Sequence, residues 1–330
     1  MERIMLAHGS GGRLSHELIR MMFQKHLGNS YLNQMNDATE LPGYKQIAVT
    51  TDSFVVSPLF FRGGNIGKLA VCGTVNDLAV SGAIPKFLTL ALILEEGLPM
   101  EELERIIISV AETATEAGVT IVCGDTKVVE RGSVDKIFIN TTGIGYITDR
   151  LVGPERILPG DEIILTGSIG DHGIAILSER EGLEFGTPVV SDCAPLNGLI
   201  DVFHQAGVKC MRDPTRGGVA TTLNELAQQA GVSVILEENK LPLSSSVEGA
   251  CEMLGLDPLY LANEGKALVI VSPEVTEEVL RKMKTHPLGR QATCIGRVQD
   301  VKPGLVLLET PLGGKRIIGM LEGEHLPRIC

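Results

Sequence analysis

Four aspartates stand where carboxylates could converge on a divalent cation. Asp52 follows Ala48-Val49-Thr50-Thr51, which reads as a strand, and Asp77 sits beside Asn76 inside an otherwise apolar helical stretch. Asp125 follows Ile121-Val122-Cys123-Gly124, and Asp213 opens Asp213-Pro214-Thr215-Arg216-Gly217-Gly218 ahead of a helix. Carboxylates at strand ends and helix starts suit Mg²⁺, which takes a few of them together with substrate phosphates. Taken singly, each could as well cap a helix or close a turn. Arg216, Gly217 and Gly218 would suit a phosphate, with a planar donor beside a helix N-terminus. The opening His8-Gly9-Ser10-Gly11-Gly12 offers a second anion cradle of free backbone N–H groups before a helix, or else a mobile lead-in. It is neither a Walker loop nor the dinucleotide fingerprint.

The C-terminus is the most informative segment. Leu321-Glu322-Gly323-Glu324-His325-Leu326-Pro327-Arg328-Ile329-Cys330 reads as an extension rather than a helix, because Gly323, Pro327 and the charges break any helical stripe. Fully extended, ten residues sweep about 35 Å, so a terminal thiol could visit more than one site. The chain's own carboxylate opposes thiolate formation at Cys330, and Arg328 would partly offset that. Read without context, the thiol could equally be incidental. Lys127, two residues beyond Asp125, and Glu264 in Asn263-Glu264-Gly265-Lys266 read on residues alone as solvated loop charges. The cluster Gly167-Ser168-Ile169-Gly170-Asp171-His172-Gly173 reads as a tight strand-to-helix turn.

The elements that must position these groups alternate along the whole chain. Strands are predicted over 47–56, 87–94, 119–123 and 137–147, with helices over 14–27 and 67–83 and from Leu103 to a stop at Gly118. A boundary rich in Gly and Pro spans 148–161. Beyond it, strands are predicted over 162–166, 232–236, 267–271, 293–298 and 305–308, and helices over 173–180, 194–206, 218–230 and 273–284. The mixture in both halves predicts two α/β or α+β domains. The 330 residues suffice for both, and 44% of them are hydrophobic. There is no Trp, so Val, Ile, Leu and Ala must build the core, while 38 glycines point to many tight turns or close backbone approaches.

Net charge is −12 and neither half is basic, which argues against nucleic acid and anionic membranes as partners. No apolar run is long enough to span a bilayer, and the start lacks a secretory signal. The seven cysteines are odd in number and contain no Cys-x-x-Cys, which fits reduced thiols in the cytoplasm.

Five motifs together resemble one family. They are Thr51-Asp52-Ser53-Phe54-Val55-Val56, the run from Gly67-Lys68-Leu69-Ala70 to Gly73-Thr74-Val75-Asn76-Asp77-Leu78, Cys123-Gly124-Asp125-Thr126-Lys127, Asp213 to Gly218, and the ending Pro327-Arg328-Ile329-Cys330. The resemblance is to the HypE family, the carbamoyl dehydratases that mature nickel–iron hydrogenases, relatives of aminoimidazole ribonucleotide synthetase and selenophosphate synthetase. It spans essentially the whole chain. Two positions depart from the pattern: Arg62 stands where Pro is usual and Asn65 where Asp is usual.

The resemblance implies a fold of three parts. Residues 1–150 would form an ATP-binding and dimerisation domain whose strands build a β-barrel shared across a homodimer. Residues 151–320 would form an α/β sandwich, and 321–330 a mobile tail ending in the reactive Cys330. It also implies ATP and Mg²⁺. Asp52, Asp77, Asp125 and Asp213 are then expected metal ligands, and Gly9, Ser10, Gly11, Gly12, Asn76, Arg216, Gly217 and Gly218 are expected to hold the nucleotide. In the implied reaction a carbamoyltransferase, HypF, loads Cys330. ATP activates the carbamoyl oxygen, and dehydration leaves a thiocyanate whose cyanide passes to iron on a HypC–HypD complex. Glu264 would be the base and Lys127 its positioner or relay. Two alternatives stay open on the residues: a kinase or synthetase of a free small molecule, and a cyanide carrier without catalysis.

Overall fold

The computed structural model describes residues 3–36, 38–147, 152–183, 187–205, 207–323 and 328–330. Its first sheet has four strands: β1 (Ile47–Phe54), β2 (Ala83–Glu95), β3 (Thr120–Val129) and β4 (Ile137–Ile147), in the order β1-β4-β2-β3. Only the β2/β3 pair is parallel. The connection between those two is a helix, α3 below, as a parallel pair requires.

Helix α1 begins at Arg13–Leu18 and runs through a π turn, Ile19–Gln24, into Lys25–Leu27. Helical spacing in the sequence predicts one stripe of Leu14, Leu18, Met21 and Met22. The wider π turn shifts the phase, so Met21 faces out while Met22 and Phe23 are buried.

Helix α2 (Ile66–Val80) is buried along almost its full length. It packs on the four-stranded sheet and on α3 (Met100–Ala117), and also meets a later helix and strand near residues 197–212. Asn65 caps α2, its Oδ1 accepting from the N–H groups of Gly67 (2.8 Å) and Lys68 (3.2 Å). That role suits Asn as well as Asp, which accounts for the departure at this position. Arg62 pairs with Glu179 at 2.9 Å. Helix α3 buries Leu103, Ile106, Ile107, Val110 and Ala114 on one stripe and ends at Gly118 with φ +67°.

The second sheet has seven strands: β5 (Glu162–Leu165), β6 (Val208–Arg212), β7 (Ser233–Glu237), β8 (Leu268–Val271), β9 (Thr293–Gln299), β10 (Val306–Glu309) and β11 (Lys315–Ile317). They are ordered β11-β10-β7-β9-β5-β8-β6. Both faces are covered, and the period of two decides which residue serves which face. Leu165, Leu268 and Ile270 pack with Val219 and Leu223 of α6 (Gly218–Ala230). Ile164, Val269 and Val271 pack with Leu199 and Phe203 of α5 (Asn197–Phe203) and with Val279 and Met283 of α8 (Thr276–Met283). Helices α4 (Asp171–Glu181) and α7 (Ser245–Leu254) share a smaller apolar cluster.

Strands β6 and β11 and helix α7 carry little sequence signal. Helix α7 holds Ser245, Ser246 and Gly249 and buries only Val247, Ala250 and Cys251. Helix α5 is shorter than the predicted 194–206, because the residues before it bond to α2, and Ala206 lies outside the described residues. The boundary at 148–161 is described from Val152 onward, with a short turn at Pro154–Arg156. Of the predicted extension 321–330, the ends 321–323 and 328–330 are described and neither is helical.

Candidate functional site

Strand β1 and helix α2 bring the first two aspartates together. Thr50 and Asp52 point to the same side of β1, and the Thr50 hydroxyl donates to Asp77 Oδ2 at 2.8 Å. Asp52 lies over Gly73, one helical turn before Asp77. Asp213, at the end of β6, shares a cavity of about 500 Å³ with Thr50, Asp77 and Arg212. Burial raises the carboxyls of Asp52 and Asp77, and the Asp52 charge raises Asp77 further. Desolvation, and then the neighbouring Asp77, pushes Asp213 to about 7. Three crowded oxygen donors whose charges oppose one another fit a divalent cation. Among the described residues no three such side chains already form a closed coordination shell. Mg²⁺ does not need one, because it keeps waters and takes phosphate oxygens.

Helix α6 starts beside this cluster. Gly217 (φ +75°) and Gly218 (φ +60°) both occupy the left-handed region, and a Cβ on Gly218 would come within 2.5 Å of the Leu259 carbonyl. Asn263, fully buried, clamps the turn, donating to Pro214 O at 3.0 Å and accepting from Gly170 N–H at 2.8 Å. No local pattern around Asn263 marks it in the sequence, because its partners Pro214 and Gly170 lie far away in the chain.

Glu264 is the main departure from the residue-level reading. It is 2% exposed, not a solvated loop charge, and its Oε1 is buried without a hydrogen-bond partner. Burial raises its carboxyl well above the ordinary value, with Cys193, Asp192, Asp213 and Asp52 adding to the shift. Its backbone is fixed by Asp192, which accepts from Glu264 N–H (3.1 Å) and Gly265 N–H (3.2 Å) and pairs with Lys266 (3.1 Å). Asn76 donates to Glu264 O at 3.2 Å and to Ala194 O at 3.1 Å, and accepts from Leu196 N–H at 2.7 Å. The amide of Asn76 therefore holds Glu264's main chain.

The end of the tail packs into the molecule along the segment that follows β1. Its main chain runs antiparallel to the segment after β1, with Val55 N–H donating to Cys330 O and Ser57 N–H to Arg328 O. Ile329 is buried in the core that also contains Phe54, Val56 and Phe61. Cys330 lines a cavity of about 270 Å³ with Arg216 and Gly217. Burial and then Glu264 push its thiol far up, while Arg216 opposes them. Arg328, expected to help the thiol, instead donates to Val55 O (3.1 Å) and pairs with Asp135 (2.7 Å).

Another cavity, of about 410 Å³, collects Gly9, Ser10, Gly11, Asp125 and Lys127. The opening loop is built rather than loose: the buried His8 ring accepts from Met5 N–H, and Ser15 Oγ accepts from Gly11 N–H. Gly9 crosses β3 so closely that a Cβ would lie 2.6 Å from Val128 N. Gly12 caps α1. Within one chain, Lys127 and Asp125 thus sit apart from the cavity at Cys330 and from the one at Asp77 and Asp213.

Two family models match, the N-terminal domain of AIR synthase related protein over residues 35–147 and its C-terminal domain over 159–307. The chain is 50% identical over 334 residues to carbamoyl dehydratase HypE of Rhizobium leguminosarum bv. viciae, covering 99% of this chain and 95% of that one. A crystal structure of hydrogenase maturation protein HypE in complex with ATP matches at 49% identity and a TM-score of 0.96, over 99% of both chains. A crystal structure of a HypE–HypF complex matches at 50% identity and a TM-score of 0.82, over 94% of this chain and 100% of that one.

Proposed function

Since the chain belongs to the HypE carbamoyl dehydratases of the AIR synthase-related family, we propose that it dehydrates an S-carbamoyl group on its own Cys330 to a thiocyanate at the expense of ATP. The observation that carries this reading is the position of the tail. Cys330 is half-buried between Ile329 in the core and Arg216, within reach of the charges of the buried Glu264 carboxyl and Asp52. An incidental terminal thiol would have no reason to be docked there, its neighbour Ile329 in the core.

In this reading the carbamoyl oxygen on Cys330 attacks the terminal phosphoryl group of ATP, and ADP leaves. O-phosphorylation leaves a protonated imidate, which gives its first N–H proton to the base; the second N–H proton is lost, to the departing phosphate, as the C–O bond to phosphate breaks. Thiocyanate and phosphate are the products. Glu264 is the proton acceptor: a carboxyl with raised basicity and an unpartnered oxygen takes a proton from a weakly acidic N–H better than an exposed one would. Asn76 and Asp192 fix its main chain. Arg216 and the N-terminus of α6 present donors to phosphate oxygens. Asp52, Asp77 and Asp213 would hold Mg²⁺, which when bound neutralises charge on the transferring phosphoryl group. Asp125, Lys127 and the glycine loop, with Gly9, Ser10 and Gly11 lining its cavity, form a second nucleotide-contacting surface. Lys127 serves Glu264's chemistry only if a second copy brings the two cavities together, as in the homodimer with a shared barrel.

HypF is the proposed donor of the carbamoyl group and a HypC–HypD complex the proposed acceptor of cyanide. Seven free cysteines support a reducing, cytoplasmic setting, and no helix among the described residues is long and apolar enough to cross a membrane.

Intact mass after incubation with HypF, carbamoyl phosphate and ATP tests the reading. A gain of about 43 Da on the wild type, falling to about 25 Da as ATP is consumed, is expected from formula arithmetic on the adducts. Neither gain is expected on Cys330→Ala. Adducts on that variant, or none on the wild type with active HypF, overturn it.

A further inference from the structure

His172 is 0% exposed, and both of its ring nitrogens are engaged. Nε2 lies 2.8 Å from Ile329 O, and Nδ1 lies 2.8 Å from Ser191 Oγ. A carbonyl can only accept, so Nε2 carries the hydrogen and donates it. Ser191 Oγ already accepts from Cys193 N–H at 3.1 Å, so its hydroxyl hydrogen is directed to Nδ1. Burial lowers the pKa of His172 and favours this neutral tautomer. The ring edge packs against Phe61, with centroids 5.5 Å apart. On the next turn of tail main chain, Arg180 Nη2 donates to Arg328 O at 2.8 Å and to Ser57 O at 2.7 Å.

The partners of His172 give this contact its meaning. Ser191 orients the ring, and the adjacent Asp192 grips the main chain of Glu264 and Gly265. Three consecutive residues, 191–193, therefore span from the carbonyl next to Cys330 to the backbone of Glu264, the carboxyl whose charge acts on that thiol. We propose that His172 is a positioning residue for the reaction, setting the Cys330 sulfur against Glu264 by holding the Ile329 carbonyl, with Arg180 as the second holder of the tail. This rests on the proposed dehydration. His172 lines none of the three cavities, so its effect passes through the tail's main chain.

The test compares His172→Gln with His172→Phe in the full chain. Gln places an amide N–H near the Nε2 position, whereas Phe keeps the ring and loses both hydrogen bonds. The first readout is the rate of Cys330 alkylation by iodoacetamide, followed on the C-terminal peptide. The second is single-turnover conversion of the HypF-loaded carbamoyl form to the cyano form.

His172→Phe is expected to raise alkylation about 10-fold, the loss of one hydrogen bond's worth of docking. It is also expected to slow conversion by about 10- to 100-fold through misplacement of the sulfur, with loading by HypF unchanged. His172→Gln should lie within about 5-fold of wild type in both readouts, on the same hydrogen-bond scale. If Phe matches or outperforms Gln, the ring serves packing and the proposal fails. Should His172→Phe not fold, Arg180→Met against Arg180→Lys carries the same comparison, with alkylation faster in Met as the expected result and equal rates overturning the proposal. Alkylation needs no carbamoyl chemistry. A wild type with protected Cys330 and no carbamoyl conversion would therefore overturn the dehydratase reading while leaving the tail contact standing.

Discussion

At the scale of single residues, environment separates groups that look alike in the sequence. Glu264 and Lys127 read as equivalent loop charges, yet one is buried without a partner for Oε1 and the other is exposed in a different cavity. Nothing local to Asn263-Glu264-Gly265-Lys266 announces burial, since Asp192 and Asn76, which create it, lie far away in the chain. Glu264→Gln is therefore expected to accept the carbamoyl group from HypF and to stall there, with the mass gain of the carbamoyl adduct persisting in ATP. Rapid conversion to the cyano form in that variant would exclude Glu264 as the base. Asp213 makes a prediction about stability. Its folded pKa of about 7 exceeds the ordinary carboxylate value, so the folded state binds the proton more tightly than the unfolded chain. Stability tied to this group is complete below the ordinary range and is lost as pH rises through about 7. In metal-free, nucleotide-free buffer, Asp213→Asn should melt at or above the wild-type temperature at pH 8 and lose that advantage near pH 4. A larger advantage at pH 4 than at pH 8 would contradict the assignment.

At the scale of elements, periodicity carried most of the fold and failed where tertiary contacts replace it. Helices α3 and α6 and strands β1, β4 and β9 are legible because their apolar residues recur at the helix or strand period. Strand β11 is exposed at all three residues, and the π turn in α1 alters the phase without any residue that marks it. The four aspartates were legible as a set because each follows a strand or stands beside Gly or Asn, although Asp125 lies in a separate cavity. Their convergence was not, because it depends on α2 lying against β1. The cap of α2 tests that placement. Asn65→Ala should cost about 1 kcal/mol, the usual loss of a side-chain N-cap, while Asn65→Asp should equal or exceed wild type by favouring the positive helix end. Chemical denaturation read by far-UV circular dichroism measures both. An unchanged midpoint in Asn65→Ala would mean that the hydrogen bonds to Gly67 and Lys68 do not secure the helix start.

At the scale of the whole molecule, one chain leaves its chemical groups divided and one of its surfaces apolar. Gly9, Ser10, Gly11, Asp125 and Lys127 line one cavity, whereas Asp77 and Asp213 line another and Cys330 a third. The outward side of the first sheet carries Ile47 at 52%, Val49 at 59% and Ile93 at 41% exposure. Exposed apolar side chains at both ends of one sheet face, around a polar middle of Thr51, Ser53 and Thr142, suit an association surface, and β1 at the sheet's edge offers unpaired main-chain groups as well. A second copy seated there would close the sheets into a shared barrel and could bring the glycine loop of one chain toward the carboxylates of the other. Ile47→Asp places a charge in that proposed interface and should yield a monomer by light scattering. Ile47 lines neither the cavity of Asp77 and Asp213 nor the one at Cys330, so Cys330 should stay as slow to alkylate as in the wild type. Conversion of carbamoyl to cyano should nevertheless fall by at least 10-fold, in proportion to the lost dimer. A monomer that converts at the wild-type rate would show that the three cavities of a single chain suffice, and the homodimer would then be an assembly without a catalytic part.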